Sequence, residues 1–245
     1  MSADPPPQAS AAGSPPRPIA TLNEGPLHAG LKAWYREPGD RMEVPVAGRQ
    51  IDIVRGDLLV EVQTSSFASI RRKLEGLVAD HRVRLVHPIP VARWIVRVEG
   101  EERRVLGRRR SPRKGRLEDV FEELVSLRRL LAHPNLSLEL LLTHEEEVRR
   151  HEPGRFWRRK GWSVLERRLV DVVGRRLIRD AGDLERLLPP GLPMPFTTAD
   201  LAERLSIRRG LAQKMTYCLR EAGALEALGR SGNAVRYRVA PPPGA

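Results

Sequence analysis

The residues in this chain best placed to do chemistry are two carboxylates set in neighbouring apolar segments. Asp52 lies in Ile51-Asp52-Ile53-Val54 and Glu61 in Leu58-Leu59-Val60-Glu61-Val62-Gln63, with the turn Arg55-Gly56-Asp57 between them. Strand interiors of this composition rarely carry acids without a use for them. Side chains alternate along a strand, so Glu61 and Gln63 share one face while Leu58, Val60 and Val62 share the other. Asp52 would sit about 5 Å away on the adjacent strand, and two carboxylates at that spacing could share one Mg²⁺. A simpler reading makes Asp52 a surface residue near a turn and Glu61 an edge-strand acid paired with an arginine. Leu59, Val60 and Val62 around Glu61 favour a buried strand instead.

The elements that must hold these residues are legible from periodicity. Leu27, Leu31 and Trp34 recur at helical spacing after Asn23-Glu24, and Pro38-Gly39 ends that run. Val44–Val46, Gln50–Val54 and Leu58–Thr64 then read as an antiparallel three-strand meander, followed by a helix from Ser66 to Asp80. Val83–Val86 and Trp94–Val98 read as two further strands, Leu117–Leu131 as a third amphipathic helix and Leu136–Leu142 as a buried strand. This is an α/β arrangement. It would close a first domain over residues 21–148, after a Pro- and Ala-rich tail at 1–20 that cannot build a core. Residues 149–160 read as a basic linker. Residues 161–240 form a second unit: a helix marked by Val164, Leu165, Leu169, Val172, Val173 and Leu177, a helix opening at Phe196-Thr197-Thr198, a helix from Ile207 to Ala222, and a hairpin whose turn is Arg230-Ser231-Gly232-Asn233. Residues 241–245 form a short disordered tail.

Composition narrows the partners. A formal net charge of +12 favours a polyanion such as nucleic acid. The stretch Arg103–Arg116 is basic without a single acid, and Arg108, Arg109, Arg110, Arg113 and Lys114 in it could track a phosphate backbone as a loop. Cys218 is the only cysteine, which excludes an internal disulfide and a cysteine zinc cluster and suits a reducing cytoplasm. No apolar run reaches the roughly 20 residues of a membrane span, so no membrane partner is expected. His144-Glu145 opens like a zinc-protease helix, but Val148 stands where the second histidine would be. His28, His81 and His87 read as structural, and a phosphate-cradling glycine loop is absent.

Two resemblances add to this reading. Residues 21 to about 145 resemble the PD-(D/E)xK nuclease superfamily, the restriction-endonuclease-like fold, whose core runs α-β-β-β-α-β. Glu24 at the start of the first helix, Asp52 on the second strand and Glu61-Val62-Gln63 on the third occupy the motif positions. Gln63 stands where that family most often has lysine, and Lys73 on the following helix is the nearest replacement. The resemblance implies Mg²⁺ or Mn²⁺ held by Asp52, Glu61 and the Val62 carbonyl, with Glu24 orienting a water or holding a second ion. Gln63 would position the nucleophile, and Lys73 would stabilise the transition state.

The run TTADLAERLSIRRGLAQKMTYCLREAGALEALGRSGNAVRYRV, with the residues leading into it, resembles a winged helix-turn-helix domain. That resemblance puts Arg208, Arg209, Gln213 and Lys214 near the start of a DNA-reading helix and Arg230 on the wing. Together they imply a metal-dependent DNA nuclease. The alternatives are a catalytically inactive nuclease-like DNA-binding protein or regulator, and an adaptor whose winged helix meets a protein. RNA stays open beside DNA as a partner, and a nuclease cutting both strands would use two copies, a homodimer.

Overall fold

The computed structural model of the protein describes residues 25–152 and 161–241. Helix α1 (Pro26–Tyr35) leads into β1 (Arg41–Val46), β2 (Arg49–Arg55) and β3 (Leu58–Val62), and α2 (Phe67–Leu77) then crosses to β4 (Arg82–Glu99) and β5 (Arg104–Arg110). A helical segment follows, with the single α-turn α3 (Phe121–Leu124) between two 3-10 pieces, and then β6 (Leu136–His151) and β7 (Trp162–Ile178). The chain ends in α4 (Ala181–Glu185), α5 (Thr198–Leu205), α6 (Arg209–Glu221) and the hairpin β8 (Leu225–Ser231) and β9 (Ala234–Val239). The fold is mixed α/β. Its large sheet has seven strands in the order β1-β2-β3-β4-β6-β7, with β5 also on β4, and β8-β9 form a separate pair. No helix among the described residues is long and apolar enough to cross a membrane.

Local chemistry explains the helices. Pro26 sits in the first turn of α1, where its missing N–H has no intrahelical acceptor to lose. Ser66 caps α2, its hydroxyl accepting from the Ala68 N–H at 3.3 Å. Thr197 and Asp200 form a reciprocal capping box that starts α5. β3 and β4 run parallel, a pairing that needs a crossover, which α2 supplies.

Each face of the sheet is covered. Leu27, Leu31 and Tyr35 of α1 pack on Ile53, Val60, Val62, Val86 and Leu141. On the opposite face Phe67, Leu74 and Leu77 of α2 join Leu59, Leu85 and Leu140, and the same apolar cluster continues through Phe121 and Leu124 to Leu211, Met215 and Leu219 of α6. The core is thus unbroken from the sheet to the C-terminal helices.

β4 carries Pro88 and Pro90 although it is central. β3 pairs with it only at Arg82–Val86 and β5 only at Trp94–Glu99, which leaves one edge open between them. Val86 and Pro90 turn their carbonyls to that edge, accepting from Gln63 N at 2.8 Å and Gly115 N at 2.8 Å. Pro88 has the same parity, so both prolines face the edge where no ladder bond is lost. Gly115 is required there, since a Cβ at this position would lie 2.8 Å from the Pro90 oxygen.

The structure corrects several expectations. Residues 162–178, expected as a helix, form β7, which pairs antiparallel with β6 along most of its length. Their valines and leucines mislead because three register shifts against β6 break the strand's period of two, which leaves Leu169 and Val172 packed on the α1-side core and Val170 and Val173 exposed. The segment that follows the expected linker therefore belongs to the large sheet, and residues 153–160 of that linker lie outside the described residues. β4 is one continuous strand in place of two, β6 runs on to His151, and the helix expected over Leu117–Leu131 is broken into short turns. The basic stretch expected as a loop contains β5, an edge strand exposed throughout.

Because the core is continuous, Leu74→Ala in α2 and Leu219→Ala in α6 should each destabilise the protein by about 2–5 kcal/mol. Both should shift the same cooperative unfolding transition in urea. Two separable transitions would refute a shared core.

Candidate active site

β2 and β3 pair through Ile53–Val60, Val54–Leu59 and Arg55–Leu58, and the ladder stops before Asp52 and Glu61. Along β2 the alternation also breaks at Asp52: Ile51 packs with the α2-side core and Ile53 with the α1-side core. Across from this break Glu43 adopts a positive φ of 53°, rare for a residue other than glycine. The two strands part here, and the Asp52 side chain occupies the fork. Its Oδ2 accepts from the Val62 N–H at 2.8 Å, where a ladder bond would otherwise form.

Two basic side chains reach Asp52 from α1. His28 Nε2 lies 3.3 Å from Asp52 Oδ2, and Lys32 Nζ lies 3.9 Å from Oδ1 while bonding Glu43 at 2.7 Å. Burial pushes the Asp52 pKa up, but the hydrogen bonds from His28 and the Val62 N–H, with the Lys32 charge, hold it below the ordinary value. Asp52 therefore stays ionised at neutral pH.

Glu61 faces the other way, toward α2, and is 3% exposed. Lys73 Nζ approaches its Oε1 to 2.6 Å and also bonds the Gln50 carbonyl. The ammonium is thus the ion-pair partner of the buried Glu61 Oε1, which no other group among the described residues reaches by a hydrogen bond. Burial, with the Asp52 charge acting in the same sense, pushes the Glu61 pKa up to about 7 against the pull of Lys73. Two neighbouring carboxylates thus have opposite tendencies, one held ionised and one poised near neutrality.

The remaining expected site residues distribute as follows. Gln63 turns away from the carboxylates, its amide donating to Ser65 Oγ, Ser66 O and Ser69 Oγ at 3.1, 2.8 and 2.8 Å. Glu24 lies outside the described residues. Arg108 bonds Glu146 at 2.8 Å and stacks on Trp94, which Arg110 also approaches. Arg109, Arg113 and Lys114 are exposed along β5 and the segment after it. Arg208 and Lys214 both reach Glu122, so they tie α6 to the body. Arg209 and Gln213 instead line a concavity with Tyr217, Arg220 and Asn233, and no carboxylate lines it. Arg230 is exposed on β8.

His28 and Lys32 were not assigned to the site from sequence. Their four-residue spacing, which puts both on one helix face, was the available signal. Glu145 and Glu147 are buried acids on β6, met by Arg93 at 3.1 and 3.5 Å. Their period-two burial was hidden because the strand was expected to end at Leu142.

A divalent ion could be held here by Asp52, Glu61 and the Val62 carbonyl. Backbone groups of one strand residue point the same way, so the N–H that reaches Asp52 places the Val62 carbonyl on the fork side too. The raised Glu61 pKa, the cost of burying its charge beside Asp52, is the strain that a cation would relieve. Among the described residues no group of three or more His, Cys, Asp or Glu converges as a ligand set.

The family model described as "Domain of unknown function (DUF8091)" matches residues 25–179, which span α1 to the end of β7. The chain belongs to the DUF8091 family. A protein of Treponema pallidum (strain Nichols), printed as "Uncharacterized protein", is 31% identical over 228 residues, covering 91% of this chain and 88% of the relative. No solved structure matches significantly. The DUF8091 match ends with the large sheet, and so contains Asp52, Glu61 and Lys73 but not α4 to β9.

The pH dependence of stability tests the Glu61 environment in metal-free protein. Its folded pKa of about 7 lies above the ordinary 4.5, so the folded state keeps a proton that the unfolded chain releases. Stability is therefore lost as pH rises through that window, by on the order of 3 kcal/mol in total. In urea unfolding, Glu61→Gln should remove this loss, giving a difference from wild type that grows with pH. A constant offset would refute the assignment.

Proposed function

We propose that this protein is a Mg²⁺- or Mn²⁺-dependent nuclease that hydrolyses phosphodiesters in DNA, on a PD-(D/E)xK, restriction-endonuclease-like core followed by a winged-helix unit. The observation that carries the reading is the β2–β3 fork, where Asp52 lies between the parted strands with its charge acting on Glu61 and Lys73 of the next helix stands against Glu61. The order α1, β1, β2, β3, α2, β4 is that of the core, and α4, α5, α6 with the β8–β9 hairpin supply the helices and wing. A small set of two carboxylates and one carbonyl suits Mg²⁺, which keeps several waters and takes few protein ligands.

The bound ion would supply a water of lowered pKa and offset charge on the phosphoryl oxygens. The chain's own groups divide the remaining work. Asp52, ionised through His28, Lys32 and the Val62 N–H, is the permanent anion of the site. Glu61, whose pKa is raised in the ion-free site, would be ionised as a ligand of the ion. Lys73 neutralises it now and, once released, is the cation within reach of charge developing on phosphorus. Gln63 takes no part in this scheme, since its amide is committed to the start of α2. DNA would be retained by Arg109, Arg113 and Lys114 beside the sheet, and by Arg209, Gln213 and Arg220 on α6.

One observation favours a second reading, an inactive nuclease-like DNA-binding protein. Asp52 is compensated from the α1 side and Glu61 from the α2 side, a pattern that also serves to close a strand fork with internal ion pairs.

Cleavage of linear, nicked, circular and branched DNA with Mg²⁺ or Mn²⁺ separates the two. The enzyme reading expects metal-dependent cutting that is lost in Asp52→Ala and Glu61→Ala and falls about 100- to 1,000-fold in Lys73→Met. Inert wild type with intact DNA binding would support the second reading. Arg209→Ala and Arg220→Ala should each lower the salt dependence of DNA binding by about one phosphate contact. Unchanged slopes in titrations across salt would remove α6 from the interface.

A further inference from the structure

The open edge of β4 between β3 and β5 gives onto a pocket of about 350 Å³. Its lining includes Leu27 at the start of α1, Thr64 and Ser65 after β3, Pro88 and Pro90 of β4, and Arg113. Thr64 follows Glu61 by three positions, about 10 Å along the chain, so the pocket adjoins the fork. We propose that this pocket receives one unpaired nucleotide of a DNA strand, next to the bond at Asp52 and Glu61, so that the site selects single-stranded over duplex DNA. The proposal rests on the nuclease reading for its meaning but not for its test.

Charge and shape both point to this occupant. Every carboxylate lining the pocket already has a protein partner. Glu145 is met by Arg93 at 3.1 Å and Thr143 at 3.0 Å, Glu123 by Ser66 Oγ at 2.9 Å and the Phe67 N–H at 3.0 Å, and Asp119 by the Arg116 N–H at 3.1 Å. Glu122 is held by Arg208 and Lys214. Three arginines line the pocket beside four carboxylates, and among the described residues the Arg113 guanidinium, the Thr64 hydroxyl and the buried Arg93 Nε have no acceptor, which leaves these donors open to an anion. Leu27, Pro88, Ile89 and Pro90 provide an apolar surface on the same pocket. One anionic group beside one flat apolar group is the chemistry of a nucleotide. The volume lies at the small end of ligand pockets, room for one base and not for a base pair. A duplex could place a base there only after unpairing it, at a cost of a few kcal/mol.

The test is equilibrium binding of the full chain, by fluorescence anisotropy in EDTA so that no cleavage is needed. The probes are a labelled oligo(dT) and a blunt duplex of equal length. The single strand should bind at least about tenfold tighter than the duplex. Ser65→Trp, which fills the pocket, should weaken single-strand binding by about tenfold or more and leave duplex binding unchanged, and Arg113→Ala should weaken single-strand binding by about tenfold or more and duplex binding by less. Asp52→Ala should keep the preference, so a protein that never cleaves DNA can still satisfy the test. Equal or tighter duplex binding overturns the proposal. So does single-strand binding unaffected by Arg113→Ala in a variant whose thermal melting matches wild type.

Discussion

The hydrogen bond from the Val62 N–H to Asp52 Oδ2 holds the rest of the site in place. A backbone donor in the middle of a sheet must find an acceptor, and here a side chain supplies it where the neighbouring strand has moved away. That substitution lets β2 and β3 part without leaving a buried N–H unpaired. It also draws Asp52 into the plane of the sheet and exposes Glu61 to its charge. The raised pKa of Glu61 and the cations gathered on either side are consequences of this single geometry.

The two faces of the sheet contribute different things to the fork. From α1 come His28 and Lys32, which keep Asp52 charged; from α2 comes Lys73, which opposes the cost of burying Glu61. Neither helix is held by these polar contacts. Each is fixed by apolar residues, Leu27, Leu31 and Tyr35 on one side and Phe67, Leu74 and Leu77 on the other, and the charges ride on those anchored frames. The same separation of duties recurs at α6, where Leu211, Met215 and Leu219 join the core while Arg208 and Lys214 lock the helix to Glu122. The outward stripe of Arg209, Gln213, Tyr217 and Arg220 is left for solvent or a partner.

Much of the meander was legible because its signals were local. Turns at Ala47-Gly48 and Gly56-Asp57 bracket β2, and the helical period of Phe67, Ile70, Leu74 and Leu77 marks α2 without ambiguity. β7 was not legible. Register shifts against β6 at Leu165, Val170 and Val173 break its period of two, so that Leu169 and Val172 are covered at a spacing of three, and Val164, Leu165, Leu169, Val172 and Val173 fit a helical period equally well when the neighbours are unknown. β4 was divided by the same blindness, since Pro88 and Pro90 end a strand unless their edge happens to be unpaired.

The sequence by itself determined the acids, their apolar setting and their place on consecutive strands, because residue type and period-two alternation need no partner to be read. It also determined that Gln63 follows Glu61 by two positions and that Lys73 lies on the helix that comes next. Only the tertiary structure decided which groups meet. Asp52 gains His28 and Lys32 because α1 folds over β2, Gln63 is turned toward the start of α2, and Lys73 reaches Glu61 because α2 packs back on the meander. Contacts between residues distant in sequence depend on how the apolar faces stack, and that packing is a property of the whole core.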